Sequence, residues 1–192
     1  MNKNDFLLRF NLLQLEKSSH IYVHNKPLRA AAVLVAIVEG DYQDDGLKIL
    51  LTKRASHLRH HPDQVSFPGG KVEKSDKSLV ATALREAKEE IGLSADQVNI
   101  LGELPPYQVI SGFQVTPIIA MINNKQKFQL DKNEVSEIFQ VPLQHFFSTS
   151  TQHTISALYN GTPHNVHFMP YKHYNIWGAT ASMIKDLVKH LN

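Results

Sequence analysis

The sequence predicts an α/β fold, a mixed β-sheet sandwiched between helices (α/β/α). Apolar β-branched runs flank one strongly amphipathic central helix, and a further helical pattern lies at each end of the chain. Residues 5–16 place Phe6, Leu7, Phe10, Leu13 and Leu15 at amphipathic-helix spacing. "AAAVLVAIVEG" (30–40) is an apolar run ending at glycine, read as a buried strand. The polar turn "GDYQDDG" then leads into "LKILLTKRA" (47–55), completing a hairpin. "SHLRHHPDQVSFPGGK" follows as a long loop punctuated by Pro62, Pro68, Gly69 and Gly70. The central helix spans about 76–91, with Ser75 or Asp76 as N-cap and Gly92 as its stop. Its Leu79, Val80, Ala83, Leu84, Ala87 and Ile91 fall on one face. "VNILGEL", "FQVTPIIAMI" and "VSEIFQVPL" read as three more strands, "HNVHFMPY" and "YNIWG" as two short ones, and 177–191 as a closing helix. No repeat or linker interrupts the pattern. One domain over 1–192 is expected, with 1–26 as an N-terminal helical extension.

Composition narrows the function classes. The chain has 192 residues, 42% of them apolar and 20% charged, as in an ordinary globular protein. A formal charge of +2 is too small to indicate a nucleic-acid partner. The absence of cysteine excludes disulfides and thiolate metal sites and suits a reducing, cytoplasmic compartment. Asp5, Arg9, Asn11 and Gln14 interrupt the N-terminal apolar residues, and no run approaches the roughly 20 apolar residues that cross a bilayer, so no membrane partner is expected.

The end of the central helix, "LREAKEEIGL" (84–93), is anomalous. Glu86, Glu89 and Glu90 crowd a terminus whose partial negative charge disfavours anions by about 0.3–1 kcal/mol each. Glu89 has Arg85 one turn earlier. Glu86 and Glu90 have no cation at helical spacing and face each other at i,i+4, a like-charge pair costing about 0.2–0.5 kcal/mol. A hard divalent cation, which takes carboxylate oxygens, water and phosphate, would relieve both acids. The preceding "FPGGK" is not a phosphate-cradling P-loop, because Val65 and Val72 stand where that motif needs glycine and Ser or Thr.

Loop and helix together, "GGKVEKSDKSLVATALREAKEEIGL", resemble the signature box of the Nudix hydrolases. From Arg85 to Leu93 the match is complete. In the first half, aligning the expected glycine with Gly70 requires one extra residue and puts Asp76 where the pattern has glutamate. Upstream, "LLTKRASHLRHHPDQVSFPGG" (50–70) resembles the coenzyme A pyrophosphatase branch, with Asp63 where that motif usually has glycine. The resemblance extends over about 28–190.

This resemblance implies the Nudix fold and hydrolysis of a diphosphate in a small-molecule substrate with Mg²⁺ or Mn²⁺ as cofactor. Carried over, it makes Glu86 and Glu90 metal ligands, with Glu89 a weaker third. Arg85 orients a glutamate, and the general base is a box glutamate (Glu89 or Glu90) or Glu134. Lys53, Arg54, Arg59, His60 and His61 are the basic groups available to substrate phosphates. Gly69 and Gly70 allow close approach of the backbone, and Phe67, Phe113 or Trp177 could wall an apolar groove. Three functions are in competition: a coenzyme A pyrophosphatase, a Nudix hydrolase of another nucleotide such as ADP-ribose or NADH, and a silent binding module. A homodimer is left open.

Overall fold

The structure, a computed structural model, describes residues 1–12, 27–40, 46–159 and 161–192. Most of the polar turn after the first strand and the last third of the expected first helix therefore lie outside the described residues. Helix α1 (Lys3–Leu12) is followed by β1 (Arg29–Val38) and β2 (Lys48–Arg54), and then by two short strands, β3 (Val65–Ser66) and β4 (Gly69–Lys71). Helix α2 (Leu79–Ile91) leads to β5 (Val98–Glu103), β6 (Tyr107–Val109), β7 (Phe113–Ile122) and β8 (Val135–Pro142). The hairpin β9 (His153–Tyr159) and β10 (Thr162–Phe168) precedes α3 (Gly178–Leu191).

β1 organises the sheet. It runs parallel to β7 from Arg29↔Phe113 to Val38↔Ile122. Its start pairs antiparallel with β4 and its end antiparallel with β2, as Ile37↔Ile49. β2 also holds β3 and β8, and β7 holds β5 and β6. Both sides of β1 are covered, which explains its near-continuous apolar sequence. Ala32, Leu34, Ala36 and Val38 face one way with Ile118, Ala120 and Ile122 of β7, and they pack against Ala83, Ala87 and Ile91 of α2. Val35, Ile37, Ile119 and Met121 face the other way, into a core with Phe6 and Phe10 of α1 and Ile184, Leu187 and Leu191 of α3. The three-layer expectation holds.

Several elements depart from the sequence reading. The segment read wholly as loop contains β3 and β4, because its backbone groups find partners on β2 and β1. β6 and β9 were not anticipated. β9 is exposed along nearly its whole length, so burial imposes no apolar alternation on it. "YNIWG" forms only isolated bridges, Phe168↔Trp177 and Tyr171↔Tyr174.

At its far end α2 stops at Gly92, whose φ of 70° is left-handed, a conformation open to glycine at little cost. The segment leading to β8 returns to this terminus. Gln129 N–H donates to Ile91 O at 2.9 Å and Asp131 N–H to Glu90 O at 3.0 Å. Among the described residues no helix is long and apolar enough to cross a membrane.

Candidate active site

Small residues on the sheet-facing side of α2, Ala83 and Ala87, let the helix lie close to β1 and β4. Glu86 and Glu90 flank that face and so meet the glycine strand β4. Glu90 is 5% exposed, and its Oε2 accepts the Gly69 N–H at 3.2 Å. Glu86 fills the space beside Gly70: a Cβ there would stand 2.5 Å from Glu86 Oε1. A Cβ on Gly69 would lie 2.5 Å from Ala32 O and 2.6 Å from Val33 Cα. Each glycine thus has its own reason. Gly69 admits the sheet backbone, and Gly70 admits a carboxylate.

Arg85 is the hub beside this pair. Its Nε and Nη2 grip Asp76 Oδ1 and Oδ2, each at 3.0 Å, a two-pronged carboxylate contact. Nη1 donates to Glu86 Oε1 at 2.9 Å and to Glu89 Oε2 at 3.0 Å, and Nη2 also reaches Lys71 O at 3.1 Å. Two expectations are corrected here. Glu86 is not bare: Arg85 reaches it from the adjacent position, one at which helix side chains do not normally face each other. And neither Ser75 nor Asp76 caps α2. Ser78 does, accepting Ala81 N–H at 3.1 Å, while Asp76 is held by Arg85 and Thr82.

Asp76 therefore stands against the arginine despite the extra residue and the shorter side chain. The Arg85 guanidinium, foremost among its contacts, holds its carboxyl well below the usual range. Asp76→Asn is expected to keep the fold but loosen Arg85, lowering kcat by about 10-fold or more with a smaller change in KM. Steady-state kinetics beside circular dichroism check this.

The electrostatics single out Glu90. Burial pushes its carboxyl up to about 8, against the opposing Gly69 hydrogen bond; the Glu86 and Glu134 charges raise it further and Arg54 lowers it. Burial likewise raises Glu86, opposed by Arg85 and helped by Glu89 and Glu134. Excess negative charge around Glu86 and Glu90 thus adds to burial in disfavouring their ionisation. Such a donor set, hard oxygens with excess negative charge, fits a Mg²⁺-like ion that keeps several waters. Among the described residues no three acidic or histidine groups already converge as a closed metal cage.

The remaining predicted residues separate. Glu89 is exposed and tied to Arg85, and Glu134 is exposed at the start of β8. Arg54, at the end of β2, lies within electrostatic reach of Glu90. Arg59 is exposed in the intervening loop and joins none of the site's hydrogen bonds. Phe67 is 2% exposed within the core shared with α3, which corrects its reading as a substrate wall. Val65 and Phe67 turn inward together, a period of two that the proline-rich context concealed. Phe113 carries Arg29 over its ring at 4.0 Å, and Trp177 stacks on Phe168. Lys53 pairs with Asp63 at 3.0 Å, and Asp63 takes a φ of 59°, the left-handed turn that glycine would adopt and aspartate tolerates.

Comparison with known proteins agrees with this geometry. The NUDIX domain family profile matches residues 28–171. The uncharacterized Nudix hydrolase NudL of Enterobacter sp. (strain 638) is 41% identical over 184 residues, 96% of this chain and 92% of the relative. That of Klebsiella pneumoniae (strain 342) is 39% identical over 187 residues, 97% of this chain and 93% of the relative. Among solved structures, a MutT/nudix family protein from Enterococcus faecalis superposes with a TM-score of 0.56 at 16% identity, covering 100% of this chain and 70% of that one. The Nudix hydrolase RenU from M. smegmatis gives 0.51 at 20% identity, with coverages of 62% and 74%. The fold, the carboxylates gathered under the glycine strand and these relatives agree: the chain belongs to the Nudix family of hydrolases.

Proposed function

We propose that the protein hydrolyses the diphosphate bond of coenzyme A or a derivative, giving 4′-phosphopantetheine or its acyl form and adenosine 3′,5′-bisphosphate. One observation carries the hydrolytic part: Glu86 and Glu90 are held side by side beneath Gly69 and Gly70, their ionisation disfavoured until a cation arrives. Nudix hydrolases generally need divalent metal ions, and here Glu86 and Glu90 would hold Mg²⁺ or Mn²⁺. Glu89 contributes less, being exposed and engaged by Arg85. When bound, the ion supplies Lewis acidity and neutralises the diphosphate.

The chain's own groups do the rest. The Gly69 N–H fixes one Glu90 oxygen, and Arg85 orients Glu86 and Glu89. Glu134, exposed to solvent yet electrostatically coupled to both ligands, receives the proton of the attacking water. Arg54 and Arg59 are the substrate-facing cations. The coenzyme A preference is supported by the Leu50–Gly70 motif, whose one departure, Asp63, adopts the backbone conformation that a glycine would. The whole chain acts as one cytoplasmic hydrolase domain, with residues 1–26 as its N-terminal extension.

A substrate panel with Mg²⁺ and Mn²⁺, products resolved by chromatography, tests this. Coenzyme A or its acyl forms are expected to have the highest kcat/KM. Much faster turnover of ADP-ribose or NADH replaces the coenzyme A reading with that of another Nudix pyrophosphatase. No turnover of any of these leaves the silent binding module.

A further inference from the structure

The Nε of Arg54 is the one buried side-chain nitrogen or oxygen without a hydrogen-bond partner among the described residues. Two neighbouring cations are already engaged. Arg85 is saturated by Asp76, Glu86, Glu89 and Lys71 O, and Lys53 by Asp63. Leaving a buried guanidinium nitrogen unpaired costs stability, so its retention calls for a partner that the protein alone does not supply.

The backbone around Arg54 is firmly fixed. Its N–H donates to Gln64 O at 2.9 Å, and the next residue's N–H donates to Glu134 O at 2.9 Å. A β-bulge opposite, where pairing shifts from Lys53↔Glu137 to Arg54↔Val135, is pinned by the Ser136 hydroxyl donating to Lys53 O and Arg54 O. Bulges re-aim side chains beside functional sites. This one sets Arg54 opposite Val135, the residue after Glu134, and no ion pair among the described residues closes on its guanidinium.

We propose that Arg54 contacts the reacting diphosphate through its guanidinium, which the protein alone leaves incompletely paired. This deepens, and rests on, the reading of the site as a diphosphate hydrolase. Guanidinium geometry matches phosphate oxygens in pairs, and Arg54 lies within electrostatic reach of Glu90.

The test compares wild type, Arg54→Met and Arg54→Lys on coenzyme A and on dephospho-coenzyme A. It adds calorimetric binding of the non-hydrolysable diphosphate α,β-methylene-ADP with Mn²⁺, and thermal unfolding. Arg54→Met is expected to unfold at or above the wild-type temperature, since it removes an unpaired buried donor. It should lose about 100-fold in kcat/KM on both substrates alike and bind α,β-methylene-ADP at least about 10-fold more weakly. Arg54→Lys, with charge but no fork, recovers no more than about a tenth of the lost rate. A lowered melting temperature with loss proportional to unfolding, a loss confined to coenzyme A, or unchanged α,β-methylene-ADP affinity each overturns the proposal. If wild type favours ADP-ribose over coenzyme A, the substrate reading fails. The same equal-loss test on ADP-ribose then judges Arg54, and the α,β-methylene-ADP arm judges it even without turnover.

Discussion

Glu90→Gln is expected to reduce kcat by at least about 10³-fold and, in metal-free protein at pH 8, to raise the melting temperature. Both effects have one cause. Burial lifts the folded-state carboxyl from its ordinary 4.5 to about 8, which at about 1.4 kcal/mol per pH unit is several kcal/mol in favour of the protonated form. A group raised on folding stabilises fully below its unfolded pKa and loses that contribution as pH climbs through the folded value. Metal-free wild type should therefore weaken between about pH 4.5 and 8, and Glu90→Gln should flatten that decline. Scanning calorimetry in chelator at pH 5, 6.5 and 8 reads this directly. Mn²⁺ competes with the proton, so its affinity should rise across the same range. Near-normal turnover of Glu90→Gln at saturating Mg²⁺ would remove the residue from the mechanism.

Substituting the two adjacent glycines should produce opposite failures. Gly69→Ala drives a methyl group into Ala32 O at 2.5 Å and Val33 Cα at 2.6 Å, backbone atoms of the central strand that cannot yield. A loss of about 3 kcal/mol or more is expected, read as a fall of about 10 °C in Tm. At Gly70→Ala the three nearest atoms all belong to the end of the Glu86 side chain, which can swing away. That variant should melt within about 2 °C of wild type, bind Mn²⁺ at least about 10-fold more weakly, and lose about 100-fold in kcat/KM. Equal Mn²⁺ affinity in Gly70→Ala and wild type would mean that Glu86 does not sit where it is described.

How much of this could be read in the sequence follows from how local each cause is. α2 was legible because burial on a fixed period writes itself into neighbouring residues, and β1 and β7 because strands covered on both faces are continuous apolar runs. The Glu86–Glu90 pair was legible for the same reason, being a one-turn relation on a single helix. β4 was not, since "GGK" has no strand propensity and pairs only because β1 is available. Ser78 was hidden among chemically equivalent caps in "EKSDKS", and the choice fell to Asp76 being claimed by Arg85, nine residues away. Arg54 and Lys53 look alike in sequence. Only their opposite sides of β2, and the partner found by one of them, separate them.

The amides of Gln129 and Asp131 that finish α2 also resolve the oddity of acids at that end. Donated onto the Ile91 and Glu90 carbonyls, they quench part of the negative pole that would otherwise repel Glu86 and Glu90. The same segment continues within three residues to Glu134, so whatever steadies the helix terminus also anchors the third acid. Terminus and returning loop form one electrostatic unit, tied by main-chain bonds that most side-chain substitutions leave in place.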